Sequence, residues 1–110
     1  MDAGEPVEIS VSGVAADSLG ARRVGDEAFA VAEATRPTSV LVEDDAILAA
    51  RDALWNEYRI PAEHGAAAAY AALTSGAYRP AVDERIAVIL CGANTDPATL
   101  GTASADDRRQ

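Results

Sequence analysis

Cys91, Asn94, Glu63 and His64 are the side chains of this 110-residue sequence whose types and positions could do chemistry. Cys91 closes the apolar run Ile86-Ala87-Val88-Ile89-Leu90, and Asn94 follows it in a Cys-Gly-Ala-Asn turn. A run of this length, bounded by turn residues, suits a strand buried on both faces, as in a parallel sheet. In open α/β sheets, ligands bind just past the carboxyl ends of such strands. A thiol there would face a bound group; the plainer alternative is a small core residue, the usual fate of a free cysteine. Glu63 and His64 open an alanine-rich segment, where a carboxylate in a first helical turn is already favoured by the helix dipole. His64 is the single histidine, and one His without paired Cys or His makes no zinc site. Asp17 and Ser18 are types that hydrogen-bond within their own loop. Asp44 and Asp45 read as helix caps rather than general acids. Neither a GxxxxGKS/T nor a GxGxxG phosphate loop occurs.

The elements that would position these groups follow from periodicity. Val7-Glu8-Ile9-Ser10-Val11-Ser12 alternates as a half-buried strand does, and Gly13 ends it. Helical spacing runs from about Val24 to Ala34, with Val24, Ala28, Val31 and Ala32 on one face and Arg23 and Glu27 placed to pair on another. Pro37 stops that helix, because the residue before a proline is pushed out of helical geometry. Ser39-Val40-Leu41-Val42 is a short apolar strand candidate. A second helix should run from Asp44 or Asp45 to about Tyr58, with Ile47, Leu48, Arg51, Leu54, Trp55 and Tyr58 as its inward stripe. A third helix, about Ala62 to Ser75, is mostly alanine and stops at Gly76. Asp96-Pro97 starts a brief helical turn, since Pro suits the first helical position. The order strand, helix, strand, helix, helix, strand gives an α/β fold: a partial parallel-type sheet flanked by helices. It occupies residues 1–100, and the small, charged residues 101–110 read as a disordered tail.

Composition narrows the function classes. A formal net charge of −9 disfavours nucleic acid and anionic membrane surfaces as partners. One cysteine rules out an internal disulfide framework and fits a cytoplasmic setting. No signal-peptide pattern is expected at the start, and no apolar run approaches the length of about 20 residues that spans a bilayer. Alanine makes up about a quarter of the chain, which favours helix. All nine basic residues are arginine, so the chain has no ε-amino group with which to form a Schiff base.

Four segments, taken in order and spacing, resemble one family. They are Val14 to Gly25, Val42-Glu43-Asp44-Asp45-Ala46-Ile47, Ala62-Glu63-His64-Gly65-Ala66-Ala67 and Leu90-Cys91-Gly92-Ala93-Asn94-Thr95-Asp96. Together they resemble the C-terminal part of the pyridoxal-phosphate-dependent serine/threonine dehydratases, a tryptophan-synthase-β-like family of fold type II. The likeness runs from about Val7 to Leu100. It implies that the chain is the C-terminal part of a large domain, and that Cys91 takes the position whose side chain hydrogen-bonds the cofactor's pyridine nitrogen. Cys91, Gly92, Asn94 and Glu63 are thus the implied cofactor-binding residues, with no catalytic or metal residue in the chain. Ala93 stands where the family has a second glycine, and His64 where it has a proline. The loop around Asp17 corresponds to one that borders the family's active site.

The same resemblance places the Schiff-base lysine, the Gly-rich phosphate loop and the small domain upstream of this sequence. Pyridoxal phosphate is therefore implied for the complete enzyme, and this chain is not expected to hold it covalently. The implied activity is a threonine or serine ammonia-lyase giving a 2-oxo acid and ammonia. Its implied partners are the missing N-terminal part, an L-threonine or L-serine substrate, and further copies in a homo-oligomer. The chain alone is expected to be inactive. The other class open to it is a non-catalytic α/β interaction module descended from such an enzyme.

Overall fold

The computed structural model of the chain describes Glu5, residues 13–16 and residues 23–100. The strand expected at residues 7–12, the loop residues Asp17 and Ser18, and the tail 101–110 lie outside the described residues. Helix α1 is Asp26–Thr35, α2 is Asp44–Tyr58 and α3 is His64–Thr74; a single 3₁₀ turn, Pro97–Thr99, follows. The core lies between α2 and α3.

Helix α1 starts after Gly25 with Asp26 and Glu27 in its first turn, where carboxylates complement the dipole. Arg23 pairs with Asp26 across 3.4 Å, rather than with Glu27. The helix ends on Arg36 in the left-handed region, whose N–H returns to the Ala32 carbonyl at 2.8 Å, immediately before Pro37. None of its residues is buried; Val31 stays exposed, and Val24, expected to open the helix, lies before its N-cap Gly25 and is exposed too.

Helix α2 ends at Tyr58, where the apolar stripe ends. Its cap is Glu43, one residue earlier than expected; Asp44 and Asp45 sit in the first turn, where the dipole favours them without a capping bond. The stripe is narrower than the sequence suggests. Ile47, Ala50, Arg51 and Leu54 are buried, while Leu48 and Tyr58 are exposed. Trp55 is half-buried, with the Arg59 guanidinium 5.4 Å from its ring centroid. Pro61 then separates α2 from α3.

Helix α3 buries Ala66, Ala67 and Ala71 against α2, and Ala62 packs just ahead of it. Methyl-sized side chains let the two backbones approach closely, and among the described residues the buried core holds two large aliphatic side chains, Ile47 and Leu54. Val14, Ala15, Val42 and Ile60 pack around its margin. Gly76, at φ +78°, turns the chain out of α3 so that the Tyr78 N–H reaches the Ala72 carbonyl at 2.8 Å. In the following loop the Tyr78 hydroxyl and the Ala81 N–H both donate to the Glu84 carboxylate. The Tyr78 hydrogen bond, then the one from Ala81, holds the Glu84 carboxyl below the ordinary glutamate range; the same contact with Glu84 pushes the Tyr78 phenol up.

The two apolar runs read as strands, Ser39–Val42 and Ile86–Leu90, belong to no helix and to no strand ladder among the described residues. Leu41 is 90% exposed and Ile89 79%, with Ile86 and Leu90 also exposed. Apolar runs of this kind gain their burial only from neighbouring strands and covering helices.

Candidate functional site

The turn after Leu90 and the start of α3 are brought together by one short bond. The Glu63 N–H donates to the Gly92 carbonyl at 2.8 Å. Gly92 adopts φ +71°, a left-handed geometry that L-residues with side chains resist. It also has no room for a side chain: a Cβ built there would collide with the Glu63 carboxylate arm, with Cδ at 2.5 Å and Cγ at 2.6 Å. Glycine is thus favoured at this position by conformation, and any added Cβ would also force the Glu63 arm to move.

Glu63 is the N-cap of α3, in extended geometry, and makes no capping bond with its own side chain. Half-buried Glu63 lines instead a groove of about 380 Å³, shared with His64, Arg51, Asn94, Thr95, Asp96 and Thr99. Of the four residues the sequence singled out for cofactor binding, Glu63 and Asn94 line this groove, and Gly92 is fastened to Glu63. Cys91 is exposed beside them and lines no part of the groove. The plain alternative of a buried core thiol therefore does not describe it.

Sequence reasoning missed Arg51. Its helical phase places it among Ile47 and Leu54, and it is indeed 7% exposed, yet it is there as a polar tie. Its Nε donates to the Ala62 carbonyl at 2.8 Å. One terminal nitrogen, Nη2, donates to Thr95 Oγ1 at 2.8 Å and Thr99 Oγ1 at 2.6 Å; the other, Nη1, reaches the Thr99 carbonyl at 3.3 Å. A charged residue at an inward helical position is the only signal the sequence offered. The receiving segment is shaped as expected at Asp96-Pro97: the Asp96 side chain accepts from the Ala98 N–H at 3.0 Å and so starts the 3₁₀ turn that presents Thr99.

Chemically the groove offers the Glu63 and Asp96 carboxylates, the His64 imidazole and the Asn94 amide, with the Cys91 thiol and the side-chain-free Gly92 beside it. Such a set can hold and orient a polar ring. Among the described residues, no group of three or more His, Cys, Asp or Glu could hold a metal ion, and no helix is long and apolar enough to cross a membrane.

Comparison with known proteins adds three results. The profile of the family described as pyridoxal-phosphate dependent enzyme matches residues 1–92. The biosynthetic L-threonine dehydratase of Escherichia coli strain K12 is 35% identical over 97 residues, which cover 87% of this chain and 19% of that protein. The phenylserine dehydratase of Ralstonia pickettii is 33% identical over 99 residues, covering 90% of this chain and 30% of that protein. The chain thus spans between about a fifth and a third of the length of these relatives.

Proposed function

The chain belongs to the pyridoxal-phosphate dependent enzyme family, and on that premise we propose that residues 1–100 are the C-terminal segment of the large domain of a threonine/serine ammonia-lyase. Its fold within the whole enzyme is then α/β, with Ser39–Val42 and Ile86–Leu90 completing a parallel sheet whose other strands lie in the remainder of the protein. The exposure of Leu41, Ile86 and Ile89 supports this reading. So does the chemistry of the relatives' names, since threonine and phenylserine are both β-hydroxy-α-amino acids.

The observation that carries the proposal is the junction of Glu63 with Gly92 beside Asn94. These residues and Cys91 would suit the ring edge of pyridoxal phosphate: an amide and carboxylates in one groove, with a side-chain-free glycine and an accessible thiol beside it. When bound, that cofactor supplies an electron sink for the substrate's α carbon, which allows the β-hydroxyl to leave. The Cys91 thiol would lie against the pyridine nitrogen of the bound cofactor and offer it a weak hydrogen-bond donor. Glu63 and Asn94 shape the wall beside it. The net change is conversion of L-threonine or L-serine to a 2-oxo acid with release of ammonia. This chain contains no lysine, so the lysine that carries the cofactor would come from the remainder of the enzyme, as would the phosphate cradle that the family resemblance implies.

Mixing the chain with the lysine-bearing upstream part of a dehydratase tests the proposal. The expected result is a new cofactor absorbance band and release of ammonia from L-threonine or L-serine, with neither component active alone. A mixture in which the two parts associate but neither signal develops would instead identify a non-catalytic interaction module, the reading that the absence of lysine favours for the isolated chain.

A further inference from the structure

The geometry points to Arg51 as a positioning residue that holds the Cys91–Asn94 turn in register with Glu63, an inference that rests on the cofactor role proposed for that turn. The connection runs through one peptide group. The plane joining Ala62 to Glu63 accepts from Arg51 Nε at its oxygen and donates to the Gly92 carbonyl from its nitrogen, each at 2.8 Å. Bonds in series through a peptide polarise and strengthen each other. Fixing that oxygen fixes the direction of the N–H that grips Gly92. The far end of the same guanidinium holds Thr95 and Thr99, so the turn is secured on both sides by a single side chain.

The alternative is that Arg51 only stabilises the helix pair. Physical chemistry argues against it. All four of these acceptors are neutral oxygens. A buried cation held this way pays a desolvation cost that an apolar residue at the same position of α2 would avoid. What Arg provides and Leu or Met does not is a planar fork reaching three points around the groove. Lysine, a point charge without that fork, cannot replace it.

Amide hydrogen exchange on the full chain tests this. In Arg51→Met, Arg51→Lys and Thr95→Val, the Glu63 amide should exchange at least about tenfold faster than in the native chain, as expected for losing a charge-assisted bond. Amides inside α2 and α3 should stay within about twofold. Thr95→Val leaves both helices untouched and so keeps the test valid if the Arg51 variants fold poorly. In the enzyme reconstituted with its upstream part, the same variants should raise the pyridoxal phosphate concentration for half-saturation by about tenfold. Equal acceleration throughout α2 and α3, an unchanged Glu63 amide, or full rescue by Arg51→Lys overturns the inference. If the native reconstituted enzyme binds no cofactor, the proposed function fails, while the exchange data still decide the role of Arg51.

Discussion

Leu54→Ala should destabilise the isolated chain by about 3 kcal/mol, within the span of about 2–5 kcal/mol seen when buried leucines are cut to alanine. Leu54 is 2% exposed and is the largest fully buried side chain among the described residues. The cost has two parts: the transfer free energy of the removed carbons, and the void they leave. That void cannot close easily here. The opposing surface is Ala62, Ala66, Ala67 and Ala71, whose side chains have nothing to extend into it, and the helix backbones are already close. With Ile47 the one large core side chain left among the described residues, this loss is a large share of a total stability that is commonly about 5–15 kcal/mol. Urea denaturation followed by far-ultraviolet circular dichroism reads it directly. Leu41→Ala serves as the control: Leu41 is solvent-facing, and its removal should change stability by less than about 0.5 kcal/mol.

Gly92→Ala should cost about 2–3 kcal/mol and disconnect the turn from α3. About 1–2 kcal/mol comes from forcing an L-residue into the left-handed region, and about 1 kcal/mol from breaking the Glu63 N–H to Gly92 carbonyl bond as the new Cβ drives the Glu63 arm away. The two parts separate in a double-mutant cycle. Adding Glu63→Ala removes the arm but not the backbone strain, so the double variant should be less destabilised than the sum of the single changes. Strict additivity in denaturant melts would mean that Glu63 and Gly92 do not press on each other.

These two residues show what the sequence made legible and what it did not. Leu54 follows from helical periodicity alone, and the end of α2 at Tyr58 follows from the same pattern. Gly76 as the stop of α3 and Asp96-Pro97 as a helical start are equally local, because turn and cap chemistry is written in a few adjacent residues. Glu63, Gly92 and Asn94 were marked by a family resemblance, and they do come together; nothing in their spacing alone brings positions 63 and 92 within one bond. Arg51 was hidden because periodicity reports which way a residue faces, not what its polar end will find. The runs at 39–42 and 86–90 carry the composition of buried strands. Strand pairing is a property of two segments, however, and neither run has its neighbour among the described residues. The apolar face of α1 was read correctly as apolar, but periodicity does not say whether anything covers it.

Cys91 is the only cysteine in the chain, so thiol labelling reports on one position. The most direct test of the account is the rate at which iodoacetamide alkylates Cys91 in the isolated chain, in the chain with its upstream part, and in that assembly saturated with pyridoxal phosphate. The account predicts ready labelling of the exposed thiol in the isolated chain and strong protection once the cofactor's pyridine nitrogen lies against it, beyond any protection given by the upstream part alone. An assembly that binds the cofactor and still alkylates Cys91 at its cofactor-free rate would contradict the placing of this turn against the cofactor ring.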